Sequence, residues 1–387
     1  MTTDPAIYLV ADNCFAIKRW IQPLEWMTVA RELGLSFVQA STDNEFDALY
    51  GDPSYLEDWV TSVRRATDET GVQVRSVYTG YQTYRTVGMA HPDVRVRRRI
   101  IDGWLKPTID ACAELQAELG FHLFAYPEEA MQDARRYEQT TEWILDGLGE
   151  AATYAHSAGV RISIEQMYSP HQPPWTIHQA REFLAAIYER AQAPCYLTID
   201  TGHQVGQARY RRPTREQVNR AVADRDVSDA WWGSEATHRM VEGGERGVPS
   251  GSDEITAALE RDRRFFADEQ DSDLYEWIRQ LARYSPIMHL QQTDGTGSHH
   301  APFTVRTNPT GIVHPMKVLT ALRESFSQGT EAGMPVPPDS VYLSFEIFSG
   351  TADTRREVLR RMRESIEYWR ESIPRDGLSL SELVVDD

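Results

Sequence analysis

Short apolar runs alternate with longer amphipathic segments from one end of the chain to the other. Eight runs read as strands: IYLVAD (7–12), FVQAST (37–42), VQVRSVYT (72–79), FHLFAYP (121–127), RISIEQM (161–167), CYLTID (195–200), IMHLQQT (287–293) and VYLSFEIF (341–348). A stretch with helical spacing of apolar positions follows each one. TEWILDGLGEAATYAHSAG closes at Gly159, a residue type suited to a helix end, and a long final helix starts near Asp353 and runs through EYWRESI. Strand and helix in alternation imply a parallel sheet covered by helices. Eight repeats of the unit predict a closed (β/α)8 barrel rather than an open sheet.

One stretch interrupts the rhythm. From Gln204 to about Ser272 the chain turns polar, with WWGSEATHRMVEGGERGVPSGSDE and the partly helical ITAALERDRRFFADE. A connection of that length is expected to be a lid, a subunit contact or a small subdomain within a single domain spanning 1–387. It follows the sixth strand, on the face where barrel enzymes hold their sites. Shorter insertions over 72–90 and 294–315 share that face. The paired tryptophans of WWGSEATHRM, unusual in polar surroundings, suggest a homodimer or homotetramer contact.

Composition narrows the function classes. The chain has 387 residues, 41% hydrophobic and 25% charged, which suits a folded, enzyme-sized body. A net charge of -18 argues against nucleic acid as a partner, since phosphate-backbone binders gain affinity through Lys and Arg. Three cysteines, Cys14, Cys112 and Cys195, are too few and too scattered for a disulfide framework or a thiolate metal site. The N-terminal MTTDPAIYLVADNCF has neither a basic region nor a long apolar one, and no stretch approaches a membrane span, so a cytoplasmic protein without membrane contact is expected.

Charged side chains inside otherwise apolar strand ends carry the chemistry. Glu165 in SIEQM, Asp200 in TIDTGH, His289 in MHLQQTD and Glu346 in SFEIF fall on strands five to eight at equivalent depth. Any one of them alone is accounted for by a helix cap, a salt bridge or a hydrogen-bonded core histidine. Four together are harder to dismiss, because burying unpaired carboxylates costs several kcal/mol each and calls for a compensating positive charge. A divalent cation supplies it. Three oxygen donors and one imidazole, with no thiolate, suit Mn²⁺, Mg²⁺ or Co²⁺ better than a closed structural zinc.

The order Glu, Asp-x-x-His, His, Glu on strands five to eight resembles the xylose isomerase-like TIM-barrel superfamily of sugar isomerases and epimerases, nearest its ketose 3-epimerase branch. The resemblance covers nearly the whole chain outside 204–272. It implies that Glu165, Asp200, His289 and Glu346 bind one metal ion, Mn²⁺ first among the candidates, and that His203 meets the substrate. NPTGIVHP (308–315) is similar to the family's Pro-Gly-x-Gly turn, with Thr310 in place of a glycine. Two substrate-contacting positions depart from the pattern: His171 stands where a second glutamate is expected, and Gly295 where an arginine is expected. Gln291, Asp294, His299 and His300 are candidate replacement contacts, or else members of a solvated turn. Trp20, Tyr78, Tyr81, Trp175 and Phe303 offer flat faces to a sugar, or serve as packing.

The expected chemistry is a metal-dependent proton transfer through an enediolate on a ketose or ketose phosphate, with Glu165 and Glu346 as base and acid on the two substrate faces. The same groups suit a metal-dependent lyase or dehydratase, including C-glycoside cleavage with a partner subunit. A DNA-repair nuclease on a related barrel would need more metal ligands and a basic groove. A scaffold without activity would have no use for the four aligned donors.

Overall fold

A computed structural model describes residues 3–16, 19–42, 45–46, 51–79, 86–123, 125–224, 227, 230–243 and 249–384. Eight parallel strands close on themselves: β1 (Ala6–Asp12), β2 (Phe37–Ser41), β3 (Gln73–Tyr78), β4 (Glu118–Phe121), β5 (Ile162–Glu165), β6 (Tyr196–Asp200), β7 (Ile287–Leu290) and β8 (Ser340–Phe345). Each pairs with its neighbours in chain order, β8 returns to β1, and β1 pairs β2 to complete the circle. A short β9 (Leu378–Ser379) lies antiparallel to the start of β1. The fold is the expected (β/α)8 TIM barrel.

Eight helices flank the strands: α1 (Pro23–Glu32), α2 (Pro53–Thr70), α3 (Lys106–Leu115), α4 (Ala134–Ser157), α5 (Ile177–Ala191), α6 (Leu274–Leu281), α7 (Pro315–Ser327) and α8 (Arg355–Arg370). Their ends follow local chemistry. Thr354 and Glu357 form a reciprocal capping box at the start of α8, and Gly159, with φ of 74°, follows the end of α4. α3 is reached through Val94–Ile100 and one π turn, Ile101–Leu105.

Strand side chains alternate between two environments. Leu9, Ala11, Val38, Ala40, Leu119, Phe121, Ile162, Ile164, Leu197, Ile199, Met288, Leu290, Leu343 and Phe345 join the apolar core between strands and helices. The alternate positions meet one another inside the barrel. At its N-terminal end Arg75 donates to Tyr342 Oη (2.7 Å), Tyr8 stacks on Tyr342, and Arg161 pairs with Glu118. One irregularity sets the register above that layer. Val38 pairs with Val74 but Gln39 pairs with Ser76, so Arg75 is an extra residue in β3, a β-bulge.

β4 begins three residues earlier than the apolar run FHLFAYP suggested. Its first residue, Glu118, is charged but buried against Arg161, and such a residue hides a strand start from a hydrophobicity pattern. The described residues of 203–272 include a 3-10 stretch (His203–Tyr210), the helices Arg215–Asp224, Glu235–Glu242 and Ser252–Arg261, and the 3-10 turns Arg263–Phe265 and Glu269–Ser272. Trp231 donates its indole N–H to Phe265 O and lies edge-on to Tyr210, while Trp232 is only 3% exposed. The tryptophan pair is therefore engaged within its own chain, which removes the reason for placing a subunit contact on it. Among the described residues no helix is long and apolar enough to cross a membrane.

Candidate metal centre

Four consecutive strands bring Glu165, Asp200, His289 and Glu346 together at the C-terminal mouth of the barrel. Glu165 and Asp200 end β5 and β6, His289 lies in β7, and Glu346 follows β8 with its N–H on Leu290 O (3.0 Å). All four are buried, and one donor atom from each lies within 4.8 Å of the others. Two metal–oxygen bonds of about 2.1 Å span roughly 4.2 Å at most. A small inward adjustment would therefore let one ion touch all four.

His289 is the hub. Its Nδ1 lies 3.0 Å from Glu165 Oε1 and 3.3 Å from Glu346 Oε2, and its ring sits edge-on to Tyr78 at 4.4 Å. Asp200 Oδ1 accepts from Gly202 N (2.6 Å), His203 N (2.9 Å) and Gln291 Nε2 (2.8 Å), whereas Oδ2 is buried with no hydrogen-bond partner. The turn requires glycine at 202, because a Cβ there would come within 2.5 Å of the Gln291 side chain.

Imidazoles balance part of the negative charge. His122 Nδ1 lies 3.0 Å from Glu165 Oε2, and His300 Nδ1 lies 3.3 Å from Glu346 Oε2. Burial alone would raise the Glu165 carboxyl, but His122 and His289 outweigh it and hold the group below its usual range. Glu346 is likewise lowered, against burial, by His289 and His300. Asp200 goes the other way: burial raises it, and His203 offsets this only in part. His289 is held well above the normal imidazole range by Glu346 and Glu165 despite its burial, and His300 is pushed up to about 9 against burial by Glu346. Among the described residues no lysine or arginine pairs with any of the four donors. An acid cluster compensated only by titratable rings, with a buried oxygen left over, fits a cation.

The remaining sequence candidates scatter. His203 is buried and donates Nδ1–H to Gln166 O (2.8 Å), 3.7 Å from Glu165 Oε1, so it adjoins the cluster. Gln291 is buried and its amide is spent inside the protein, on Asp200, on Ser298 Oγ (2.9 Å) and on the backbone N–H of His300 (2.6 Å). It holds the site together. His171 pairs with Glu128 at 3.0 Å in a partly exposed position. Asp294 and His299 are exposed and both turn to Thr296, the local turn that the sequence had left open as an alternative. Trp175 is buried and edge-on to Tyr210 of the 204–272 segment. Phe303 packs on Tyr368 and Trp369 of α8, in the core rather than toward a ligand. Trp20 meets Phe15, with Arg355 over its ring. Tyr81 lies outside the described residues.

Four participants escaped the sequence. His122 follows the last residue of β4, but a strand drawn from 121 onward put it at the beginning. Asp12 ends β1 as Asp200 ends β6, a signal available to the same rule. Gln39 is a polar residue within an apolar strand. Gly120 is fixed by Tyr78, whose ring a Cβ would meet at 1.9 Å. His300, singled out within its loop, stacks on Phe348 at 3.9 Å and adopts a left-handed backbone, φ 45°, which is strained for a histidine.

Comparison with known proteins agrees with this picture. The family described as xylose isomerase-like TIM barrel matches residues 27–283. A D-erythrulose 1-phosphate 3-epimerase of Brucella abortus is 25% identical over 358 residues, covering 91% of this chain and 92% of the relative. A xylose isomerase candidate from Rhodospirillum rubrum has a similar structure, with a TM-score of 0.68 at 19% identity over 94% of this chain and 99% of that one. A protein named IOLI, solved with a bound zinc atom, matches with a TM-score of 0.53 at 13% identity over 94% and 98%. At such identities the two solved structures speak for the fold alone.

Proposed function

The chain belongs to the xylose isomerase-like TIM-barrel family, and on that footing we propose that it is an isomerase-class enzyme, a metal-dependent sugar epimerase. The observation that carries this reading is the four-donor cluster, no more than 4.8 Å across, with the buried and unpartnered Asp200 Oδ2 among its oxygens. A divalent ion held by Glu165, Asp200, His289 and Glu346, Mn²⁺ by preference and Mg²⁺ or Co²⁺ as alternatives, would neutralise buried charge and stabilise the enediolate oxygens of an α-hydroxy carbonyl substrate.

The chain's own groups do the rest. Glu165 and Glu346 stand three strands apart around the barrel, so one takes the proton from the substrate carbon and the other returns a proton on the opposite face. That exchange inverts the centre. His122 lies beside Glu165 and His300 beside Glu346, so one ring keeps the carboxylate that acts as base ionised and the other passes to the second carboxylate the proton that it returns. His203 has Nδ1 committed to Gln166 O, which leaves Nε2 for a substrate oxygen. Gln207, bonded to Met167 O and Trp175 O at 2.9 Å each, ties 204–272 to the loop after β5. We take that segment as part of one domain and as cover for the mouth.

The similarity to a ketose 1-phosphate epimerase makes ketoses and their phosphates the first class to try. Incubation with Mn²⁺ in heavy water, followed by NMR, should give an isomer that differs from the substrate only in configuration and in the deuterium at the inverted carbon. Turnover without deuterium entry would refute the enediolate route, and loss of water or of an aglycone would identify a lyase instead.

A further inference from the structure

The His289 imidazole is gripped from both sides. Its Nδ1 faces Glu165 and Glu346, while its Nε2 lies 2.9 Å from Gln39 Nε2. Gln39 is itself fixed at both ends of its amide: the nitrogen donates to Asp12 Oδ2, and the oxygen accepts from Ser76 Oγ (2.9 Å). Asp12 is anchored in turn, Oδ1 accepting from Cys14 N at 2.7 Å. Gln39 and His289 are fully buried, Ser76 and Asp12 nearly so. These three supporting residues come from β1, β2 and β3, the half of the barrel that provides none of the four donors.

Resting on the metal reading above, we propose that Gln39, braced by Asp12 and Ser76, is the positioning residue for His289, fixing its ring so that Nδ1 is the nitrogen offered to the cation. A ring that gives Nδ1 to a metal keeps its proton on Nε2, the nitrogen that faces the Gln39 amide. A carboxamide is neutral and can present either a donor or an acceptor to Nε2. Its nitrogen faces Nε2 in this structure; turned end for end, the amide would offer Oε1 to a proton on Nε2 and its nitrogen to Ser76 Oγ, giving up the donation to Asp12. Ser76 stands level with Gln39, just past the extra residue at Arg75. Without Ser76 and Asp12 the amide would be free to swing, and the imidazole plane with it.

The test uses the full-length chain stripped of metal with chelator. Wild type, Gln39→Met and Asp12→Asn are titrated with Mn²⁺ and Co²⁺ by calorimetry, the Co²⁺ visible spectrum is recorded, and each protein is melted in chelator. Gln39→Met should weaken binding by about 10–100-fold, the range for groups that orient a metal-bound histidine, and should alter the Co²⁺ spectrum. Asp12→Asn should weaken it less, by about threefold or more. Melting in chelator should move little for either, which separates positioning from general instability. Binding by Gln39→Met within twofold of wild type, with the same Co²⁺ spectrum, overturns the proposal. If Gln39→Met does not fold, unchanged affinity in Asp12→Asn overturns it. A wild-type chain that binds neither ion overturns the metal reading beneath, a result distinct from binding that survives in Gln39→Met.

Discussion

The two ends of the barrel interior treat buried charge in opposite ways. At the N-terminal end Glu118 has the Arg161 guanidinium beside it, although burial still raises its carboxyl, and Arg75 donates to the Tyr342 hydroxyl. At the C-terminal end three carboxylates share titratable imidazoles, and one oxygen is left over. Both ends are buried and polar, so burial alone does not separate structure from function. What separates them is the kind of partner, a guanidinium of permanent charge at one end and imidazoles that titrate at the other. Guanidinium partners close a site, whereas imidazoles and an orphaned oxygen leave it open to a cation.

The largest expected effect comes from breaking the open end. Glu165→Gln or Glu346→Gln should lower turnover by about 10²–10⁴-fold, the usual worth of a positioned acid or base, and should abolish tight Mn²⁺ binding by calorimetry. Neither should unfold the protein. The closed end should respond in the reverse sense. Glu118→Gln leaves Arg161 with Asp339 and Ser340 and should shift denaturant melts by about 1 kcal/mol or less, with metal affinity unchanged.

A pH series sharpens the contrast further. In the cation-free protein His300 is raised from 6.5 to about 9. A group raised by folding contributes its stability in full below about pH 6.5 and loses it as pH climbs through about 9. Chelator-treated protein should therefore lose on the order of 2 kcal/mol across that window, and His300→Asn, which tolerates the left-handed backbone, should flatten the slope. Glu118→Gln should keep it. The smallest effect is expected at the rim: His171→Ala and His299→Ala, which remove partly exposed rings, should change stability by less than about 0.5 kcal/mol in the same melts.

Repetition made the barrel readable from sequence, since eight strands with helical segments between them leave few alternatives. The four donors were readable because each is a charged or imidazole residue in an apolar run, and the strand ends fixed their common height. Partners that depend on closure were not. Gln39 touches His289 only because β2 and β7 face each other across a closed ring, a relation that no local spacing records. His122 was lost with the misplaced start of β4, where Glu118 and Gly120 interrupt the apolar pattern. Asp294 and His299 looked chemical by residue type, yet DGTG around them is turn composition, and the turn is what forms.

The extra residue in β3 serves the closed end of the barrel rather than the site. Arg75 and Ser76 both reach inside the barrel, and from Ser76 onward the strand's parity is reversed relative to an unbroken ladder. Deleting Arg75 would leave Ser76 opposite Gln39 and Tyr78 opposite Ser41 as they are now, and would straighten the strand and remove the contact with the Tyr342 hydroxyl. The bulge therefore adds one inward side chain to the closed end of the barrel while the pairing that shapes the mouth stays regular.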